Sequence, residues 1–304
     1  MTRINRLLPV VSAAVLLAAG TAALLPGAAQ ARESVVPCDG AALVAAVDAA
    51  NAAGGGIIPL TPQCTYTLNS AHGADPVHGP SGLPVITTEI RFEGDGSEIT
   101  RGGAAAFRIA QVAASGNLSL KGTRITNGSA TGAGSAGHGG GVLNLGLLTV
   151  ANSIVSGNSA TGSGGGVYSA NGTVVTIKNS TVSGNTAAGS GGGVHSGTAA
   201  ATIKSTAVSS NTATGDGGGF YGSGLATVGD SPFTANKGAR GGAIASVGGN
   251  LTVTNSPVIA NTATVTAGAI FRLGGTATVS GSPLIVNAPN NCAGSAPAVP
   301  GCLG

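Results

Sequence analysis

Between residues 139 and 270 one block opens six times at a step of about 26 residues, and a repeat of that length sharply limits what the chain can become. The block begins GGGV at 139–142, 164–167 and 191–194, then GGGF at 217–220, GGAI at 241–244 and AGAI at 267–270. Thr149, Thr176, Thr202, Thr227, Thr252 and Thr278 keep the same phase, each followed by Val or Ile. Asn158, Asn185, Asn211, Asn236, Asn261 and Asn287 keep it too. A unit this short cannot bury a hydrophobic face alone, so successive units must stack on one another.

Inside each unit the apolar runs are short, alternate with polar residues and are punctuated by glycine, which reads as strand rather than helix. Leu148 and Val150 face one way and Thr149 the other. The expected fold is therefore all-β, a right-handed parallel β-helix whose Val and Ile columns point inward, with like residues stacked about 4.8 Å apart. The Gly runs sit where the chain must turn sharply. The Asn columns admit two readings, interior amide ladders or exposed ligands, and their phase with the core favours ladders. Asn152, Asn179 and Asn255 read the same way, with Asp230 as a variant in that column.

The ends differ from the repeat. Arg3 and Arg6 precede an apolar run from Leu7 to Leu25 and an Ala29-Gln30-Ala31 cleavage pattern, so 1–31 is expected to be a secretory signal. Without Arg3 and Arg6 the chain keeps 11 basic and 10 acidic residues. Such a balance exerts no long-range pull on nucleic acid or anionic membrane. No later apolar stretch reaches the roughly 18–20 residues of a membrane helix. Residues 32–84 form an N-terminal cap: a helix over 38–54 with Asp39 as its N-cap and Leu43, Val44, Val47 and Ala50 on one stripe, then extended pieces at 57–60 and 65–68. Coils occupy 85–289, the first two degenerate, and 290–304 is an irregular tail. The four cysteines allow three pairings, and in an oxidising compartment the local pairs Cys38–Cys64 and Cys292–Cys302 are expected, each clamping one end.

GGAI at 241–244 and Phe233-Thr-Ala-Asn236 match the GGA[I/L/V] and FxxN signatures of the chlamydial polymorphic outer-membrane proteins. Over roughly 85–290 the chain resembles the broader set of exported β-helix proteins with pectate-lyase-like repeats. The resemblance implies a surface or adhesin-like role. It does not carry over an outer-membrane barrel or a wall-sorting tail, for which no matching segment is found, so free secretion to the extracellular space is expected. Nor does it carry over hydrolase chemistry, because glycoside hydrolysis needs two carboxylates across the scissile bond and only Asp216 and Asp230 follow Ile125.

The residue after each GGGV-type valine is expected to point outward, and that column reads Leu143, Tyr168, His195, Tyr221, Ala245, Phe271. Tyr168, His195, Tyr221 and Phe271 are thus candidates for stacking on sugar rings, against the plainer reading that aromatics favour sheet surfaces and stack on each other. A lyase would use His195 or Tyr221 as proton acceptor, with Arg240 or Lys204 neutralising a substrate carboxylate. Asp216–Arg240 and Glu93–Lys121 read as ion pairs between coils. The acidic and basic cluster from Glu89 to Arg101 reads as a solvated face. The Thr column lacks the second regular Thr column of an ice-binding plane, since Lys178, Lys204 and Gly229 flank it. The glycine strings precede no helix and so hold no phosphate, and His72, His78 and His138 lack metal-ligand spacing. The expectation is a secreted, monomeric, non-catalytic protein, surface- or adhesin-like or binding a polysaccharide or cell-surface glycan. It takes no cofactor or metal, binds no nucleic acid and inserts in no membrane; the alternative is a polysaccharide lyase acting on uronic-acid polymers.

Overall fold

The computed structural model of the protein describes residues 34–198 and 200–302; the expected signal segment, 1–31, lies outside them. The described chain is a parallel β-helix of about eight turns preceded by one helix. Each regular coil lays down four short strands, for example Val142–Asn144, Leu147–Ala151, Ile154–Ser156 and Ser159–Ala160. The second of these forms the first sheet of the coil, the Thr sheet, where Thr149, Thr176, Thr202, Thr227, Thr252 and Thr278 pair in succession with no slip of register. Ile154–Ser156, Ser159–Ala160 and Val142–Asn144, each with its counterparts, form the second, third and fourth sheets. The residues on either side of each Thr point inward: Leu148, Val150, Val175, Ile177, Ala201 and Ile203 are all buried. Each buried Val, Leu or Ile contributes roughly 1.5–3 kcal/mol. In the earliest coils the long strands Glu89–Arg101 and Asn117–Thr126 run through the bend, joining the Thr sheet and the second sheet into one.

The two bends flanking the second sheet share one construction: a residue with left-handed φ, then an inward polar side chain. At the first bend the left-handed post is held by Asn152, Asn179, Ser205, Asp230 and Asn255, with φ between +48° and +52°. Asn and Asp tolerate that region better than other residues with a Cβ. The inward residue is a hydroxyl, Ser153, Ser180, Thr206, Ser231, Ser256 or Ser282. Each accepts the N–H of its counterpart one coil earlier at 3.0–3.4 Å and, except at Ser282, lies buried. At the second bend the left-handed post falls to Gly157, Gly184, Ser210, Ala235, Ala260 and Val286. There the inward residue is Asn158 and its successors. Asn211 shows the pattern: its Oδ1 accepts the N–H and Nδ2–H of Asn185, while its Nδ2 donates to Val182 O and to Asn236 Oδ1. The Asn158–Asn287 column is thus the expected ladder. The Asn152 column is not: its members are exposed, and among the described residues the one side-chain hydrogen bond along it runs from Asn255 Nδ2 to Asp230 Oδ1 at 3.4 Å. The hydroxyls beside it do the laddering.

Glycine is required where the third sheet turns into the fourth. Gly191 has φ +70°, and a Cβ there would lie 2.5 Å from Val194 O; at Gly192 it would lie 2.5 Å from Gly218 O. The helix spans Gly40–Ala52, with Ala42 N–H donating to the Asp39 carboxylate and Leu43, Val44 and Val47 closing the first coil. Cys38–Cys64 and Cys292–Cys302 are the disulfides, one at each end. Among the described residues no helix is long and apolar enough to cross a membrane.

Candidate functional site

The fourth sheet carries the aromatic column. In-register pairing of Tyr168 with His195 and of His195 with Tyr221 brings their rings one above another. Ring centroids are 4.7 Å apart for Tyr168–His195 and 4.8 Å for His195–Tyr221, with planes within 15° of parallel. His138 joins the stack below Tyr168 at 4.3 Å and 4°. Because these separations match the strand spacing, the ring planes lie across the axis along which coils stack. Inside the stack the π-faces cover one another, so between neighbouring rings only the edges remain open.

The column is shorter than expected from alternation. Leu143, Ala245 and Phe271 keep the column position, outside the main core cluster, but are buried under neighbouring residues. In the Leu143 coil the ring that enters the stack is His138. Phe271 packs with Ala245 and Ala267, and the guanidinium of Arg240 lies 4.5 Å from its ring centroid and covers it. Phe271 therefore leaves the candidate binding row.

A third ladder, not expected from the repeat, runs beside the rings through the residues before successive Gly runs. His138 Nδ1 accepts the Ser163 N–H at 2.8 Å, Ser163 Oγ that of Ser190, Ser190 Oγ that of Asp216, and Asp216 Oδ1 that of Arg240. Asp216 also holds the Arg240 side chain by two bonds, Nε at 3.0 Å and Nη2 at 2.5 Å. This hydrogen bond, more than any other influence, raises the Arg240 pKa. The expected Asp216–Arg240 pair is present, and so is Glu93–Lys121 at 3.3 Å.

Burial between two tyrosines pushes the His195 pKa down to about 4, with His138 adding a smaller push. Its Nδ1 is buried without a hydrogen-bond partner among the described residues, as is Ser196 Oγ. Burial likewise lowers His138, helped by Arg108, and raises the phenols of Tyr168 and Tyr221. At neutral pH the stack is uncharged, its imidazoles are weak bases, and its phenols keep their protons. A general base works best with a pKa near the operating pH, which His195 lacks. Of the four lyase candidates, His195, Tyr221 and Arg240 come together, but Arg240 is already engaged by Asp216. Lys204 is not among them: it ends the strand Ala200–Lys204 on the Thr sheet, beside Lys178.

Sequence reasoning missed Arg108. It is fully buried and donates to Gly79, Pro80, Ala136 and His138 carbonyls and to Gln111 Oε1. Burial lowers its pKa to about 10 against the pull of nearby Asp75. Burial works against the Asp75 charge, but hydrogen bonds from His78, the Val77 N–H and Gln111 prevail and hold it well below the usual carboxylate range. Arg108 thereby fastens the 73–81 hairpin and the turn ending at His138 to the coils, setting the first ring of the stack. No signal in the repeat marks it, whereas His138 stands in the same pre-glycine place as Ser163 and Ser190 and was legible there. Compared with protein-family models, with curated proteins and with solved structures, the chain matches none.

Proposed function

We propose that the protein is a secreted, non-catalytic polysaccharide-binding β-helix, acting at a surface or in an extracellular matrix. The observation that carries this is the edge-on ring row. With the π-faces inside the stack covered, the row presents in line the edges of the half-buried Tyr168 and Tyr221, two coils apart, with the more deeply buried His195 between them. Such a line suits hydroxyls repeating along an extended glycan, contacted by hydrogen bonds rather than by sugar stacking. The two disulfides support export, and the GGAI and FTAN motifs support kinship with exported β-helix proteins of adhesin or pectate-lyase-like type.

Retention on a panel of insoluble polysaccharides tests the reading. Tyr168→Phe/Tyr221→Phe keeps the stack and removes only the hydroxyls, so retention should fall several-fold while the melting midpoint stays put. Equal retention of variant and parent removes the row from consideration. The lyase reading is weighed against by the low basicity of His195 and the engagement of Arg240. New ultraviolet-absorbing unsaturated ends after incubation with uronic-acid polymers would restore it.

A further inference from the structure

The first bend leaves a groove on the outside of the coils, away from the ring row. Two cavities, of about 550 and 600 Å³, meet there and share Asn152, Ser153 and Ile154. The groove runs across successive coils past Asn152, Asn179 and Ser205, whose exposed side chains follow the left-handed bend. Immediately before the bend, on the Thr sheet, stands the column Lys121, Ala151, Lys178, Lys204, Gly229, of which Lys121 lines the groove itself.

Lys178 and Lys204 are the unusual pair. They are directly opposite on adjacent strands, both exposed, and neither makes an ion pair among the described residues. Like charges in that relation are destabilising, and the small neighbours Ala151 and Gly229 put nothing between them and solvent. The acids of the groove stand at its two ends. Glu93, already paired with Arg91 and Lys121, and Asp95 lie at the near end with Arg124; Asp230 lies at the far end beside Asn255. Amide and hydroxyl groups line the middle of the groove. The unpaired positive charge stands beside it, on Lys178 and Lys204, the residues immediately before Asn179 and Ser205, with Asp230 one coil beyond Lys204.

We propose that this groove binds a linear sulfated glycan laid along the stacking axis. Two cations one strand spacing apart, about 4.8 Å, call for anions about one sugar apart. Lysine presents a compact point charge rather than the planar fork with which arginine grips carboxylate or phosphate, so the pair reads the charge and spacing of its anions, assigned as sulfate esters. The Asn152 and Asn179 amides can donate to sulfate oxygens and to sugar hydroxyls alike. This site and the ring row use different sheets, so either can fail while the other stands.

The test measures binding of the full-length protein to a sulfated galactan, the same galactan desulfated, polygalacturonate and polyphosphate over a range of salt. The sulfated galactan should bind most tightly, and desulfation should weaken binding about tenfold or more, since the charge contacts dominate affinity. Lys178→Gln/Lys204→Gln should lose about tenfold in affinity, show a shallower salt dependence, and melt no lower than the parent because a repulsion is gone. Lys204→Glu alone, which gives Lys178 an internal partner, should lose binding as well. Lys237→Gln, the same charge change on the third sheet, should bind like the parent. Undiminished binding by the double variant overturns the groove, and tighter binding of polygalacturonate or polyphosphate overturns the sulfate assignment.

Discussion

Two asparagine columns run through this protein in the same phase, yet they do opposite things. The Asn158 column is buried and each amide bonds to the coils on both sides, whereas the Asn152 column is exposed and holds a left-handed backbone turn. The bends themselves are alike, with a left-handed residue first and an inward polar side chain second. Asparagine fills the second post at one bend and the first post at the other. Phase in a repeat therefore reports which residues stack, while the place within the bend decides whether the side chain is interior.

The sharpest way to break this comparison is to truncate one amide in each column. Asn211→Ala removes a side chain with four interior hydrogen bonds and strands its neighbours, so denaturant unfolding should show a loss of about 3–4 kcal/mol. A loss below about 1 kcal/mol would mean that the ladder is not what holds the second bend. Next in size is the in-phase ring column. The unfolded imidazole titrates near 6.5 and the folded one near 4, so the unfolded chain binds the proton first as the pH falls. Stability should be full above pH 6.5 and decline by about 2–3 kcal/mol on the way down to pH 4. His195→Phe keeps a ring in the stack and should flatten that slope; an unchanged slope would assign it elsewhere.

Smaller effects separate the two posts of a single bend. Ser231→Ala, which deletes a buried rung of the hydroxyl ladder, should cost about 1–2 kcal/mol. Asn179→Ala at the exposed left-handed post should cost about 1 kcal/mol through backbone strain alone, and Asn179→Gly should recover most of it. The reverse substitution at the other bend, Ala260→Gly, relieves a positive φ of +56° and should stabilise by a few tenths to about 1 kcal/mol. If Asn179→Ala cost as much as Asn211→Ala, the distinction between the columns would fall.

Much of the fold was legible in the residues. The Thr149-to-Thr278 register, the inward Val and Ile columns, the Asn158 ladder and the capping helix all follow from periodicity and turn chemistry. The candidate site was legible only in part. Tyr168, His195 and Tyr221 share a column as alternation predicts, but alternation is blind to what lies over a column. Phe271 occupies the same strand position and is covered by Arg240, a residue 31 positions earlier. The Ser153 ladder is not legible in the same way, because a lone serine beside an asparagine carries less signal than the asparagine.

What the sequence settled unaided is how coil meets coil, because a strand alternates every two residues and the repeat returns every 26 or so. Both are properties of the chain itself. Only the tertiary structure decided which surfaces those columns present. The rings turn edge-on because parallel strands in register stack like upon like. Arg108 is interior because a hairpin and a turn from distant parts of the chain close over it. Lys178 and Lys204, which the repeat already sets on adjacent strands, stay without an ion-pair partner because no described acid comes within reach of them.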